Sequence, residues 1–324
     1  MSFVLRNHSE IFGLKEMQYF GNSWDPRNST QQLSERQMLD AAAWMFARQE
    51  QGILVAKPTR QNMESARILL DSLPIENRGP ADLFVATVNQ LCSEAGKSIP
   101  CEQTPRNIFY AEALLRIYPE ARVIHMLRDP RAVMASQRMR WQRRRLSTSK
   151  ASHPRYESLR TWVNYHPYTV AKLWAKASRE AQRLSDHPRF TLIRFEDLME
   201  SPEKTIRYIC ERLDVDYDPA MLEVGQINSS HQSSVGGARR GLNKDAIDTW
   251  RTALPITEVA ITERICGSLM AHYGYTKDAR QLSGGVGELR YKLTYLLHAA
   301  GVLTVNPRRA WIQMMAVFKG GRGE

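Results

Sequence analysis

Apolar residues recur at helical spacing along most of the chain, and short unbroken apolar runs lie between these stretches. The spacing predicts seven amphipathic helices, over residues 33–50, 61–73, 81–95, 131–145, 167–185, 202–213 and 257–272. Three apolar runs, over residues 53–56, 122–127 and 190–195, are typical of buried strands. Strands that alternate with long helices, and that are apolar on both faces, predict an α/β fold with a parallel sheet.

Other stretches lack this periodicity, and the chain changes character near its end. Residues 141–166 are polar and rich in arginine, which favours an excursion from the core. Residues 225–252 carry glycine, serine and basic residues, as functional loops commonly do. After residue 278 a glycine-rich hinge leads into a basic amphipathic segment. We therefore predict a domain over 1–278 and a helical appendage over 279–324, which packs on the domain or on a partner subunit; a position on a membrane surface is the alternative.

The charge balance indicates anionic partners without choosing among them. The chain has 324 residues, with 45 Lys+Arg against 34 Asp+Glu and a formal net charge of +11. Such a surplus suits a nucleic acid, a membrane surface or a phosphorylated small molecule. The stretch RMRWQRRR, residues 138–145, places five arginines around Trp141 and is a candidate surface for an anionic polymer. The alternative for this stretch is a solvated basic helix end.

The sequence also bears on the cellular compartment. It has no run of about 18 apolar residues, so it predicts no transmembrane helix, and the residues after Met1 lack the apolar core of a signal peptide. The four cysteines have no metal-ligand spacing, although Cys92 and Cys101 could pair. Cysteines this few and irregular favour free thiols in a reducing compartment. We therefore predict a cytoplasmic protein with no metal site.

The stretch VIHMLRDPRAVMAS, residues 123–136, changes from a buried strand to a helix at its centre. Asp129 can cap the helix and the proline after it fits the first helical position. Arg128 thus lies at the carboxyl end of a strand beside a helix N-terminus, where parallel sheets bind anions. Ser136 follows within two turns, so a guanidinium and a hydroxyl could bind one phosphate. In the alternative interpretation Arg128 pairs with a carboxylate such as Asp129, and Ser136 has no role.

Residues 118–136, YPEARVIHMLRDPRAVMAS, resemble the 3′-phosphate-binding segment of the sulfotransferases that use 3′-phosphoadenosine 5′-phosphosulfate (PAPS). The resemblance implies that Arg128 and Ser136 bind the 3′-phosphate of the nucleotide. Further segments are similar to the family in the same order, including CEQTP from Cys101, in which Gln103 stands where lysine is common. The similarity extends over residues 7–276, most of the chain.

A late basic segment, ARRGLNKDAIDTW, resembles the loop that closes over the nucleotide in this family. The residues that match the core of that loop are Arg239, Arg240 and Gly241. The resemblance implies a three-layer parallel sheet of the P-loop nucleotide-kinase-like sulfotransferase type. It also implies PAPS as co-substrate, its product 3′-phosphoadenosine 5′-phosphate (PAP), and a hydroxyl or amine of a carbohydrate, lipid or peptide as acceptor.

An early segment, NHSEIFGLKEMQYFGNSWDP, resembles the stretch that carries the general base in carbohydrate-type and bacterial members. The matching position is Glu16. A carboxylate there can take the proton that the acceptor hydroxyl loses during attack on sulfur. In the alternative interpretation Glu16 is a surface carboxylate flanked by core residues. His8 is a weaker candidate for the base.

The family's glycine-rich loop for the 5′-phosphosulfate, commonly PRSGTT, has no counterpart in this sequence. Residues 53–66, with Lys57, Thr59 and Arg60, are a weak substitute because they lack glycine. Backbone amides of such a loop stabilise the leaving oxygen, so we expect slow transfer by these 324 residues alone. The favoured explanation is that the true protein starts further upstream, and a degenerate relative is the alternative.

Three functional hypotheses follow from the sequence. The first is PAPS-dependent sulfuryl transfer with Glu16 as base. The second is a nucleotide-binding remnant without turnover, and the third is an anionic-polymer-binding protein, for which no specific nucleic-acid-binding motif is present. The sequence leaves the acceptor and the oligomeric state open, including a homo-oligomer.

Overall fold

The computed structural model describes residues 1–28, 30–53, 56–146, 165–224, 242, 244–278 and 285–305. Within these residues the helices are α1 (Ser2–Leu5), α2 (Glu35–Gln51), α3 (Arg60–Ser72), α4 (Pro80–Glu94), α5 (Ala111–Ile117), α6 (Pro130–Leu146), α7 (Pro167–Arg183), α8 (Phe195–Glu200), α9 (Pro202–Leu213), α10 (Trp250–Ala253), α11 (Ile256–His272) and α12 (Gly285–Val305). The strands are β1 (Ile11–Gly13), β2 (Ile99–Cys101), β3 (Val123–Leu127) and β4 (Phe190–Arg194). Short 3₁₀ turns span Ile75–Asn77, Pro105–Tyr110, Pro219–Leu222 and Lys244–Ala246.

The strands form two parallel pairs. In the first pair Ile11 of β1 lies opposite Ile99 of β2. In the second, Val123 of β3 lies opposite Phe190 of β4. The predicted α/β class and the parallel strand direction are confirmed. The described residues differ from the expectation of one sheet, because they hold two separate hydrogen-bonded pairs.

One apolar cluster joins the two strand pairs. It draws on all four strands and on α1, α8 and α9, through Val4, Leu5, Ile11, Ile99, Ile124, Met126, Ile193, Leu198, Ile206 and Ile209. Removing such side chains from water is the main favourable contribution to folding. The two pairs therefore belong to a common core, and the loops that leave their strands are anchored in it.

The predicted helices are confirmed to within two residues at each end. Local sequence explains this agreement. At the start of α2 the Ser34 hydroxyl accepts a hydrogen bond from the Gln37 N–H, and the Gln37 side chain accepts one from the Ser34 N–H. This reciprocal capping satisfies two amides that the helix leaves unpaired. Proline occupies the first position of α4, α7 and α9, where its missing N–H costs nothing.

Some predicted elements differ from the structure. Residues 53 and 56 lie outside strands, and 54–55 lie outside the described residues, so the strand predicted over 53–56 is not confirmed. Helix α6 continues to residue 146, so the predicted polar excursion begins as helix; residues 147–164 lie outside the described residues. Trp250, placed in the predicted loop over 225–252, is buried at the start of α10.

The cysteines and helix lengths bear on the environment of the chain. All four cysteines are free, so Cys92 and Cys101 do not pair. Burial raises the pKa of the Cys101 thiol to about 11 and that of Cys266 to about 12, which keeps both protonated near neutral pH. Across the described residues, no helix has the length and apolar character needed to span a bilayer.

Candidate active site

The first candidate residue, Arg128, lies where β3 meets α6. Asp129 ends the strand and caps the helix, because its side chain accepts a hydrogen bond of 2.8 Å from the Arg131 N–H. The carboxylate of Glu196 accepts the Asp129 N–H at 3.0 Å and so ties this junction to the end of β4. The indole of Trp174 donates to the Arg128 carbonyl at 2.8 Å. The backbone that carries Arg128 is therefore fixed from three sides.

The Arg128 guanidinium is only partly satisfied. It is half-buried, lies 4.2 Å from the centre of the Phe195 ring, and donates through Nη2 to the Ala246 carbonyl at 2.6 Å. Its Nε is buried without a hydrogen-bond partner. Burial lowers the pKa of Arg128, and the nearby carboxylates of Glu196 and Asp129 oppose that shift. A buried donor without a partner is costly, so this guanidinium is suited to an incoming anion.

The carboxylate-paired alternative for Arg128 is not what the structure shows. Asp129 is engaged by Arg131 instead, through contacts of 3.0 Å at Nε and 2.6 Å at Nη2. The remaining Nη1 of Arg131 donates to Glu263 at 2.7 Å. Within the described part of the chain Arg128 takes part in no ion pair. The carboxylate at the strand end therefore orders the junction and leaves Arg128 available.

Ser136 lies on α6 less than two turns after the junction. It is half-buried, and its hydroxyl forms no hydrogen bond to another described residue. The predicted loop with Arg239, Arg240 and Gly241 lies outside the described residues. The chain is described again at Lys244–Ala246, where the Ala246 carbonyl contacts Arg128. The segment that follows this loop therefore lies against the candidate anion site.

Glu16 lies just beyond β1, in the other strand pair. It is half-exposed, and its nearest polar contact is Gln18 Nε2 at 3.5 Å. The backbone around it is held by the end of α2. The Lys15 N–H donates to Gln49 Oε1 at 2.9 Å, and Arg48 Nη1 donates to the Met17 carbonyl at 2.5 Å. Glu16 is thus a carboxylate without a strong partner on a firmly held backbone.

Glu102, which follows β2 directly, holds the same turn from the other side. Its carboxylate accepts the Met17 N–H at 3.1 Å and the Thr104 N–H at 3.1 Å, and it also accepts the Thr104 hydroxyl. Thr104 Oγ1 in turn accepts the Gln18 N–H at 3.1 Å. Gln18 has a φ of 48°, which is unfavourable for a side chain of this kind. The hydrogen bonds of Glu102 and Thr104 therefore stabilise a strained turn beside Glu16.

Two ionisable groups beside this turn, Glu102 and Arg106, have shifted pKa values. Burial raises the pKa of Glu102, while the hydrogen bonds from Thr104 and Met17 lower it and the charge of Glu16 raises it further. Burial lowers the pKa of Arg106, opposed by Tyr110 and Glu16. The Nη2 atom of Arg106 is buried without a partner. A cation with spare donors therefore lies near the candidate base.

We expect the change Glu102→Ala to loosen the Glu16 turn. The Met17 N–H then loses its acceptor, and a lost hydrogen bond of this kind costs about 1–3 kcal/mol. Deuterium exchange at the Met17 and Gln18 amides is expected to accelerate about 10–100-fold. Glu112→Ala, which removes an exposed glutamate from α5, should leave both rates unchanged. Unchanged exchange in Glu102→Ala would show that the carboxylate does not hold the turn.

Two weaker candidates from the sequence, His8 as the base and Thr59 as part of a substitute phosphosulfate loop, have other contacts in the structure. His8 is buried with both ring nitrogens engaged, by the Asp216 carbonyl at 2.8 Å and by the Glu10 N–H at 3.1 Å. It is therefore held as a structural residue. Thr59, in the weak substitute for the phosphosulfate loop, is used to cap α3 through reciprocal hydrogen bonds with Asn62. Its hydroxyl is engaged by the backbone and side chain of Asn62.

The structure brings the candidate residues to two places. Arg128 and Ser136 share the β3–α6 junction, and Glu16 lies at the end of the β1–β2 pair. Within the described residues no hydrogen bond or ion pair connects Glu16 with Arg128. The β1–β2 pair beside Glu16 and the β3–β4 pair beside Arg128 are joined by the apolar cluster that all four strands share.

Comparison with known proteins supplies the family. A sequence model described as "Sulfotransferase family" matches residues 1–219, about two thirds of the 324 residues. The chain belongs to the sulfotransferase family. The matched residues contain Glu16, Arg128 and Ser136 and end before the predicted basic loop.

Individual relatives include bacterial and human sulfotransferases. Nodulation protein NoeE of Sinorhizobium fredii is 30% identical over 208 residues, covering 60% of this chain and 48% of the relative. Carbohydrate sulfotransferase 6 of Homo sapiens is 30% identical over 173 residues, covering 48% and 41%. The omega-hydroxy-beta-dihydromenaquinone-9 sulfotransferase Stf3 of Mycobacterium tuberculosis is 25% identical over 189 residues, covering 57% and 44%. The matched segment thus spans less than half of each of these relatives.

Sequence reasoning missed Glu102, Thr104 and Arg106 as parts of the site. All three belong to the CEQTPR stretch that resembles the family. The partners of Glu102 and Thr104 are 85 and 86 residues away in sequence, so spacing gave no signal for them. The β1–β2 pairing, which brings the two stretches together, had not been predicted.

Proposed function

We propose that this chain is a PAPS-dependent sulfotransferase. The observation that carries the proposal is Arg128, a half-buried guanidinium with an unpaired Nε at the carboxyl end of a parallel strand and beside the N-terminus of α6. This environment favours a phosphate group. Family membership supports sulfuryl transfer as the reaction.

In the proposed reaction the chain binds the nucleotide and deprotonates the acceptor. Arg128 and Ser136 bind the 3′-phosphate, and Arg239, Arg240 and Gly241 close over the nucleotide. The acceptor oxygen or nitrogen forms a bond to sulfur while the bond from sulfur to the phosphate oxygen breaks, which releases PAP. Glu16 takes the proton that the acceptor loses. The proposal includes no metal: the positive charge toward the nucleotide comes from the side chains of Arg128, Arg239 and Arg240.

We propose a hydroxyl or amine of a carbohydrate, lipid or peptide as the acceptor. The relatives support the first two classes, since their names describe carbohydrate and menaquinone sulfotransferases. Residues 141–166 are proposed to contribute to acceptor binding. The four free thiols support the proposed cytoplasmic location.

The change Arg128→Ala tests nucleotide binding. Hydrogen bonds to charged groups contribute about 1.5–3 kcal/mol, so we expect the Kd for PAP, measured by calorimetry, to rise about 10–100-fold. Arg122→Ala removes an equal charge from the other end of β3, where Arg122 donates to the Arg212 carbonyl, and should change the Kd less than about threefold.

Three outcomes separate the hypotheses. Equal PAP affinity in Arg128→Ala and the unsubstituted chain would reject the role of Arg128. Tight PAP binding without transfer of labelled sulfate to any of a panel of saccharides and hydroxylipids would favour the nucleotide-binding remnant. Binding to a polyanion with steep salt dependence, uncompeted by PAP, would favour the anionic-polymer hypothesis.

A further inference from the structure

Helix α12 exposes a continuous apolar face to solvent. Leu289, Leu293, Leu296 and Leu297 are exposed to 56%, 66%, 74% and 72%, respectively. At about 100° per residue these side chains fall on one side of the helix, and Ala300, also exposed, lies among them. Single exposed leucines are ordinary on protein surfaces, but a contiguous group marks an interaction site.

The opposite face of α12 is docked on the domain, so the orientation of the helix is fixed. The Tyr291 hydroxyl donates to the buried Glu258 at 2.7 Å. Glu288 pairs with Arg264 and accepts the Tyr168 hydroxyl at 3.1 Å. These contacts hold the leucines away from the domain. Among the described residues, none covers the leucine face.

The border of the leucine face is basic. Arg290 lies on one side of the apolar arc and Lys292, which pairs with Glu288 at 3.1 Å, on the other. The arc between them spans about 160° at 100° per residue. Both side chains are exposed. The one acidic residue of α12, Glu288, is buried against the domain. A helix with an apolar face bordered by cations is typical of helices that lie in the interface of an anionic bilayer.

We propose that α12 docks this protein on an anionic membrane surface, with the leucine face inserted between lipid headgroups. Charge complementarity favours this occupant over a second copy of the chain. Lys292 already pairs with Glu288 of the same helix at 3.1 Å. Pairing two copies through this face would bring Arg290 of both helices together, and α12 has no second acidic residue to neutralise it. The sequence that follows, residues 306–324, adds four basic residues and a single acidic one, which increases the attraction to anionic lipid.

Vesicle co-sedimentation of the full 324-residue chain tests this proposal. The vesicles contain phosphatidylcholine alone or with about 30% phosphatidylserine, an anionic lipid. We expect at least about tenfold tighter binding to the anionic vesicles, and at least a tenfold loss of that binding in Leu293→Glu/Leu296→Glu. The matched control is Ile68→Glu/Ile75→Glu, which adds the same charges at residues exposed to 61% and 83% on other elements. It should bind within about twofold of the unsubstituted chain, and thermal melts establish that both variants fold.

Three results would overturn the proposal. The first is absence of binding to anionic vesicles. The second is equal vesicle binding by the unsubstituted chain and Leu293→Glu/Leu296→Glu. The third is a dimer in light scattering that the leucine variant converts to monomer while neither form binds vesicles, which would assign the face to self-association. PAP binding is measured in parallel and should be the same in every variant, because the substituted residues are remote in sequence from Arg128. Membrane binding through α12 does not depend on the proposed reaction, so the two proposals can fail separately.

Discussion

Glu16→Gln is expected to lower kcat for sulfuryl transfer about 10²–10⁴-fold, the contribution typical of a positioned general base. Glutamine has nearly the same size and keeps the backbone hydrogen bonds around the turn, but it cannot accept the acceptor's proton. Because Glu16 makes no contact with Arg128 among the described residues, the Kd for PAP should change less than about twofold. The two readouts together distinguish a role in proton transfer from a general loss of structure.

The measurement uses labelled PAPS and a panel of saccharide and hydroxylipid acceptors, followed under single-turnover conditions. Glu10→Gln, an exposed glutamate in the same segment, serves as the control and should retain the rate. If Glu16→Gln transfers sulfate as fast as the unsubstituted chain, the base is another group. If both the rate and the PAP affinity fall together, Glu16 supports the fold rather than the chemistry.

Arg131→Met is expected to lower the free energy of unfolding by about 3–5 kcal/mol. Arg131 is buried between Asp129 and Glu263, at contact distances of 2.6 Å and 2.7 Å, and its guanidinium lies 4.0 Å from the Trp250 ring centre. Removing the cation leaves two buried carboxylates without their partner, and the cost of burying those charges then appears in full. The same change should displace the Asp129 junction and so weaken PAP binding.

Urea unfolding followed by circular dichroism gives this free energy. The matched control is Arg207→Met, since Arg207 pairs with Glu203 at 2.7 Å on the surface and both side chains are 57% exposed. Exposed pairs contribute at most about 1 kcal/mol. A loss below 1 kcal/mol in Arg131→Met would show that water or another side chain compensates the two carboxylates.

The helices could be predicted because local sequence determines their ends. Helix α2 begins at a reciprocal cap between Ser34 and Gln37, and α4 and α9 begin at prolines. These signals can be recognised in the sequence without knowledge of the tertiary structure. The two short strands could not be predicted. β1 has three residues and ends in Gly13, and β2 has three residues with Pro100 at its centre. Both residues are depleted in strands, and only the pairing between the two strands identifies them.

The sequence predicts a strand over 53–56, and the two described residues of this run, 53 and 56, lie outside strands. Four consecutive apolar residues satisfy the pattern of a buried strand, but periodicity alone cannot separate a strand from any other buried segment. In the structure Ile53 forms a turn after α2, and Thr59 caps α3 soon afterwards.

For the candidate site, the sequence located Arg128 at the strand end but could not decide what it binds. The structure shows that Asp129 pairs with Arg131 and not with Arg128; phosphate binding by Arg128 stays a prediction. Glu16 depended wholly on the family resemblance. The residues that hold its turn, Glu102 and Thr104, are distant in sequence and are identified by their hydrogen bonds alone.

The central claim, that Arg128 recognises a 3′-phosphate, is tested most directly by comparing two nucleotides that differ in that group. Calorimetry with PAP and with adenosine 5′-phosphate is carried out on the unsubstituted chain and on Arg128→Ala. We predict that the unsubstituted chain prefers PAP by about tenfold or more and that Arg128→Ala binds the two nucleotides equally. An unsubstituted chain that binds both equally, or an Arg128→Ala variant that keeps the full preference for PAP, would contradict the account.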